Sequence, residues 1–166
     1  MLIILSGLPG TGKTTIAREL ARSLSAVHLR IDTIEHAIQT SMLNVPNAID
    51  AGYRVGMGVA EDNLRLGHIV IADSVNPIAI TRNAWRFTAA RAGVRSIDVE
   101  IICSDEASHR ARIETRDNDL AGFKQPTWAE VTSRTYEPWT TERTVIDTAK
   151  QSLATITAML TLAVAP

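Results

Sequence analysis

Gly7-Leu8-Pro9-Gly10-Thr11-Gly12-Lys13-Thr14 fits the pattern G-x-x-x-x-G-K-[ST]. Glycines in such a loop let successive backbone N–H groups turn inward around an oxyanion, and the positive end of the next helix adds to the attraction. The loop falls between the apolar run Leu2-Ile3-Ile4-Leu5 and a helix-like stretch that begins at Lys13. Strand, loop and helix in that order are the setting this motif requires. Lys13 would bring a mobile positive charge to the β- and γ-phosphates of a nucleotide, and the Thr14 hydroxyl would ligate Mg²⁺. The expected ligand is a nucleoside triphosphate, held by Gly7, Pro9, Gly10, Thr11, Gly12, Lys13, Thr14 and Thr15.

Outward from the loop, apolar runs alternate with helical patterns, the signature of an α/β chain with a parallel sheet. Strands are expected at 2–6, 27–31, 69–73, 97–103 and 144–147, and helices at 13–24, 32–42, 49–66, 77–92, 105–116, 127–134 and 151–162. Asn44-Val45-Pro46-Asn47 should break the chain between two helices. Thr127, with Glu130 three residues on, reads as a capping box. Residues 117–126 read as polar and irregular. The expected architecture is a five-stranded parallel sheet with helices on both faces and a short helical lid at about 110–126.

The chain has 166 residues and a net charge of −1, which suits one domain over residues 1–166 and gives no basic field toward nucleic acid or membrane. Cys103 is the only cysteine, so neither a disulfide framework nor a thiolate metal cluster is expected. Apolar runs are too short for a membrane span, and the chain opens directly on a strand, so a cytoplasmic protein is expected.

Several residues beyond the loop are placed for chemistry. Asp73 directly follows a buried-type strand, where a carboxylate would hold Mg²⁺ directly or through water, or else merely cap the turn. Ser74 stands where motor-type ATPases commonly carry a water-activating acid, and no guanine-reading N-K-x-D occurs. Asp32 follows the second strand, on the same sheet edge as the loop, where it could take the proton of an attacking hydroxyl or merely cap the next helix. Arg30 lies two residues earlier. Arg110, Arg112 and Arg116 precede the irregular segment and would neutralise phosphate charge, or else form a solvated, paired helix face. Asn76 and Arg82 could contact the acceptor, or serve as a turn former and a surface arginine. Asp147-Thr148-Ala149 follow the last strand where an adenine-contacting loop would run, and Tyr136-Glu137-Pro138-Trp139 reads as packing against the lid helices. The four histidines show no mutual metal spacing and read as structural.

With 7–14, Asp32, Ile69-Val70-Ile71-Ala72-Asp73-Ser74-Val75-Asn76-Pro77 and the stretch His109-Arg110-Ala111-Arg112-Ile113-Glu114-Thr115-Arg116 in place, the chain resembles the small P-loop kinases grouped with AAA-family ATPases. That group includes bacteriophage-type polynucleotide 5′-hydroxyl kinase, chloramphenicol phosphotransferase and the zeta-toxin kinases. The resemblance covers the whole length and includes Pro9 of the loop. It implies the three-layer P-loop NTPase fold, ATP and Mg²⁺, and transfer to a hydroxyl. It also implies catalytic roles for Lys13, Asp32, Arg112 and Arg116, nucleotide contacts from Arg110 and Arg112, acceptor contacts from Asp32, Asp73, Asn76 and Arg82, and metal ligation by Thr14 and Asp73. The near-neutral charge favours a small-molecule acceptor. A polynucleotide 5′-hydroxyl kinase and an acceptor-independent ATPase or nucleotide switch are the alternatives.

Overall fold

Side chains alternate between the two faces of a strand, so Leu2 and Ile4 point one way from β1 (Leu2–Ser6) and Ile3 and Leu5 the other. All four are fully buried, and β1 must therefore be covered on both faces. The computed structural model, which describes residues 1–42, 50–117 and 119–164, supplies that cover. Ile3 and Leu5 join Ile16 and Leu20 of α1 (Lys13–Leu24) and Ile156 and Leu160 of α7 (Leu153–Val164). Leu2 and Ile4 join Ala60 and Leu64 of α3 (Ala51–Arg65) and Trp85 and Ala89 of α4 (Ala79–Arg91). Each such aliphatic side chain contributes about 1.5–3 kcal/mol by leaving water.

The remaining strands are β2 (Val27–Arg30), β3 (Val70–Asp73), β4 (Ser96–Ile102) and β5 (Thr144–Asp147). The sheet is parallel throughout, in the order β2-β3-β1-β4-β5. Its register aligns Asp73 with both Leu5 and Arg30. The loop after β1, the end of β3 and the start of α2 (Ile31–Gln39) consequently meet at one edge, where ligands of open α/β sheets bind.

Element ends depart from the expectations for local reasons. Ile31 opens α2 instead of closing β2, and Arg30 takes the N-cap position, so Asp32 lies inside the first turn and is not the cap. The helix expected from Pro77 starts at Ala79, because Ile78 is still extended. The expected break at Asn44-Val45-Pro46-Asn47, together with Ile49, lies outside the described residues. In α3, Gly52 and Gly56 face α2: a Cβ at Gly56 would press into Ile31, and one at Gly52 into the Glu35 stem. These two small residues let α3 lie close to α2. Among the described residues no helix is long and apolar enough to cross a membrane.

Candidate active site

The 7–14 loop has a backbone only glycine could give it. Gly7 has φ 144° and Gly10 φ 81°. A Cβ on Gly7 would collide with the Ile101 carbonyl, and one on Gly10 with the Ile113 side chain. Gly12 is the N-cap of α1 and brings no side-chain cap, which leaves the first-turn N–H groups open to an anion. The Thr11 hydroxyl donates to the Leu8 carbonyl at 2.9 Å, so Thr11 shapes the loop from within. Gly7 also lies behind the cradle, its N–H bonded to the Val75 carbonyl.

Above the loop opens a cleft of about 1280 Å³, lined on the donor side by Pro9, Gly10, Gly12, Lys13, Thr14 and Thr15. Lys13 is buried, and its ammonium donates to the Leu8 carbonyl at 2.9 Å. Burial lowers its pKa to about 8, against the pull of Asp73 and then Asp32, while Arg116 and Arg134 add to the lowering. Those four groups therefore face one buried cation. The glycine cradle and this ammonium, poorly compensated by the protein, fit the phosphates of a nucleotide. Thr14 and Asp73 both line the cleft and offer hard oxygen donors suited to Mg²⁺.

Asp73 is almost fully buried, and His28 Nε2 donates to its Oδ2 at 3.1 Å. Asp32 lines the cleft with its side chain 43% exposed and Arg30 at 4.0 Å. Arg30 itself donates to Asp119 at 2.7 Å, and Arg18 to the same carboxylate at 2.5 Å. These bonds, Arg30 first, hold Asp119 near a pKa of about 2 and fasten it to α1 and β2.

The lid arginines separate. Helix α5 (Glu106–Thr115) is clamped to the loop by His109, whose Nε2 donates to the Pro9 carbonyl at 2.8 Å. Arg112 lines the cleft and donates to the Thr148 hydroxyl at 2.8 Å and to its carbonyl at 3.2 Å, which ties it to the loop after β5. Arg116 lies just past the helix end, lines the cleft and bonds Gln125; burial lowers its pKa, and the Asp32 carboxylate opposes that most. Arg110 points to solvent and pairs with Glu114 at 2.8 Å, so the structure sets it apart from the cleft.

Two further expected residues are also set apart. Asn76 is fully buried with φ 47°, and its amide donates to the Leu5 carbonyl and the Ser6 hydroxyl, each at 3.2 Å. Arg82 is 2% exposed and donates to the carbonyls of Asn76 (2.9 Å), Glu137 (2.8 Å) and Pro77 (3.2 Å). Its guanidinium lies 4.2 Å from the Trp139 ring centroid and 4.9 Å from that of Tyr136. The aromatic segment 136–139 therefore packs on Arg82, Arg86 and Arg143. A buried guanidinium requires carbonyl partners, and this segment supplies them.

Sequence reasoning missed Glu35, Tyr53 and Arg134, which line the same cleft as Asp32. Glu35 could have been found from its i, i+3 spacing to Asp32. Tyr53 and Arg134 arrive from separate elements and leave no local signal.

The geometry can be set beside known proteins. No curated protein matches the sequence. The solved structure of Mycobacterium tuberculosis APS kinase CysC in complex with AMPPNP and APS superposes with a TM-score of 0.70 at 20% identity, covering 99% of this chain and 97% of that one. Kti12 from Chaetomium thermophilum, in complex with ADP-AlF3, gives 0.69 at 23% identity over 100% of both chains. A sugar kinase from Janibacter sp. HTCC2649 gives 0.71 at 18% identity over 99% and 95%. The fold is thus that of P-loop kinases, a three-layer sheet with helices on both faces. A family model described as an AAA domain matches residues 2–138, and the chain belongs to that AAA domain family.

Proposed function

We propose that the protein is an ATP-dependent phosphotransferase that moves the γ-phosphoryl group of ATP to a hydroxyl of a small-molecule acceptor. The observation that carries this reading is the convergence of Asp73, Asp32, Arg116 and Arg134 on the buried Lys13 ammonium, in the cleft that the glycine loop floors. The acceptor oxygen attacks the γ-phosphorus, the bond from phosphorus to the β–γ bridging oxygen breaks, and ADP leaves. Asp32 takes the hydroxyl proton. Lys13 and Arg116 face the phosphates and offset the charge spread over the transferring group, and Arg112 holds the nucleotide side beside Thr148. Mg²⁺ held by Thr14 and Asp73 would neutralise further phosphate charge.

Release of Asp32 from the capping position supports its role as base, since its part-exposed carboxylate is held by the long 4.0 Å ion pair to Arg30 and the helix-dipole interaction of about 0.3–1 kcal/mol. Acids interspersed among the arginines also favour a small acceptor over a polyanion. The test is transfer of label from γ-labelled ATP across a panel of hydroxyl compounds. Asp32→Asn should lower transfer about 10²–10⁴-fold and leave ATP affinity unchanged. Steady ATP hydrolysis with no labelled product from any acceptor would sink the proposal.

A further inference from the structure

The transfer chemistry leaves three polar side chains of the acceptor side unused: Glu35, Tyr53 and Ser74. Glu35 lies one turn after Asp32 on the same face of α2, and its stem rests on Gly52 of α3. Among the described residues its carboxylate makes no hydrogen bond or ion pair. The Tyr53 phenol oxygen accepts the Asn76 N–H at 3.2 Å, which leaves its own proton free to donate. The Ser74 hydroxyl is 3% exposed and lies beside that phenol, yet completes no hydrogen bond of good geometry. Buried hydroxyls rarely go without a partner, and this one belongs to a residue of the cleft wall.

We propose that Glu35, Tyr53 and Ser74 bind a second hydroxyl of the acceptor, so that the acceptor is a neutral polyhydroxylated small molecule with one hydroxyl at Asp32 and another at this subsite. The inference rests on the kinase reading above. Glu35 only accepts, whereas Tyr53 has a proton to donate and Ser74 can do either. A hydroxyl matches this set because it both donates and accepts. An ammonium has no lone pair for the Tyr53 proton, and an ionised carboxylate or phosphate has no proton to give Glu35. The alternation of Asp32 and Glu35 with Arg116 and Arg134 likewise gives no one-signed wall to hold an ion.

The experiment measures acceptor-dependent ADP release at saturating ATP and Mg²⁺ over matched sets: a neutral polyol, its amino analogue, its acid analogue and its deoxy analogues. Neutral polyols should have the lowest KM. Glu35→Gln and Tyr53→Phe should each raise KM for the best polyol about tenfold or more, with KM for ATP within about twofold of wild type. A deoxy analogue lacking the second hydroxyl should show the same loss and be insensitive to both substitutions. Gly52→Ala pushes the Glu35 stem aside and, assayed below its Tm, should reproduce the KM increase. Preference for the amino or acid analogue overturns the subsite and leaves the kinase reading standing. So does an unchanged acceptor KM in Glu35→Gln and Tyr53→Phe. Absence of transfer to every hydroxyl compound overturns both.

Discussion

Burial draws the Lys13 ammonium down from 10.5 to about 8, and the opposing pull of Asp73 and Asp32 does not restore it. The free protein therefore holds this cation at a cost. With the folded value depressed, the unfolded chain binds the proton more tightly between pH 8 and 10.5, and stability relative to an uncharged variant rises with pH across that window. Lys13→Met should raise the stability of the nucleotide-free protein at pH 7 by on the order of 2 kcal/mol. The gain should shrink from pH 8 upward, as thermal unfolding at several pH values would record. The same variant should lose ATP binding. In the wild type the phosphates return the missing partner, so ATP binding near pH 8.5 should take up a fraction of a proton. Calorimetry in buffers of different ionisation heat measures this, and equal heats would contradict it.

At the scale of elements, Arg82 is buried where the sequence allowed either an acceptor contact or a surface arginine. It joins α4, the turn after β3 and the 136–139 segment by bonds to the Asn76, Pro77, Glu137 and Pro138 carbonyls and stacking on Trp139. The Ala79 N–H adds a 2.6 Å bond to Glu137 at the same junction. Arg82→Leu should cost about 2–4 kcal/mol, since it leaves buried carbonyls without donors. Below its lowered Tm, the variant should keep wild-type KM values for ATP and acceptor; a selective rise in acceptor KM would return Arg82 to the site. Nothing in the local sequence distinguishes a buried arginine from a surface one, because burial here is made by a segment more than fifty positions away. By contrast, the glycine loop was legible because eight contiguous residues specify its backbone, and β1, α1 and β5 fall where periodicity places them. Helix starts were less legible: Arg30 and Ile78 act as caps through backbone conformation alone, without the side chains that advertise a cap. Glu35, Tyr53 and Arg134 reach one cleft from α2, α3 and the end of α6 (Trp128–Thr132), a convergence that topology makes and sequence order hides.

For the whole molecule, the charge balance decides what can approach Asp32. The chain carries 17 Lys and Arg against 18 Asp and Glu, and Asp119, shared by Arg18 and Arg30, offsets one of their two positive charges at the cleft wall. An oligonucleotide acceptor would bind by neutralising phosphates and releasing counterions, with an affinity that falls with salt at a log–log slope of about −0.7 per contact for single strands. Four such contacts would weaken binding about 50-fold between 50 and 200 mM salt. A neutral acceptor held by hydroxyl hydrogen bonds releases no counterions. With ATP and Mg²⁺ kept saturating, so that the donor side contributes nothing, KM for the acceptor should change by less than about twofold over the same range. A steep increase would mean that the arginines bind a polyanion after all, and it would reverse the choice between small molecule and nucleic acid that the interleaved charges of the cleft favour.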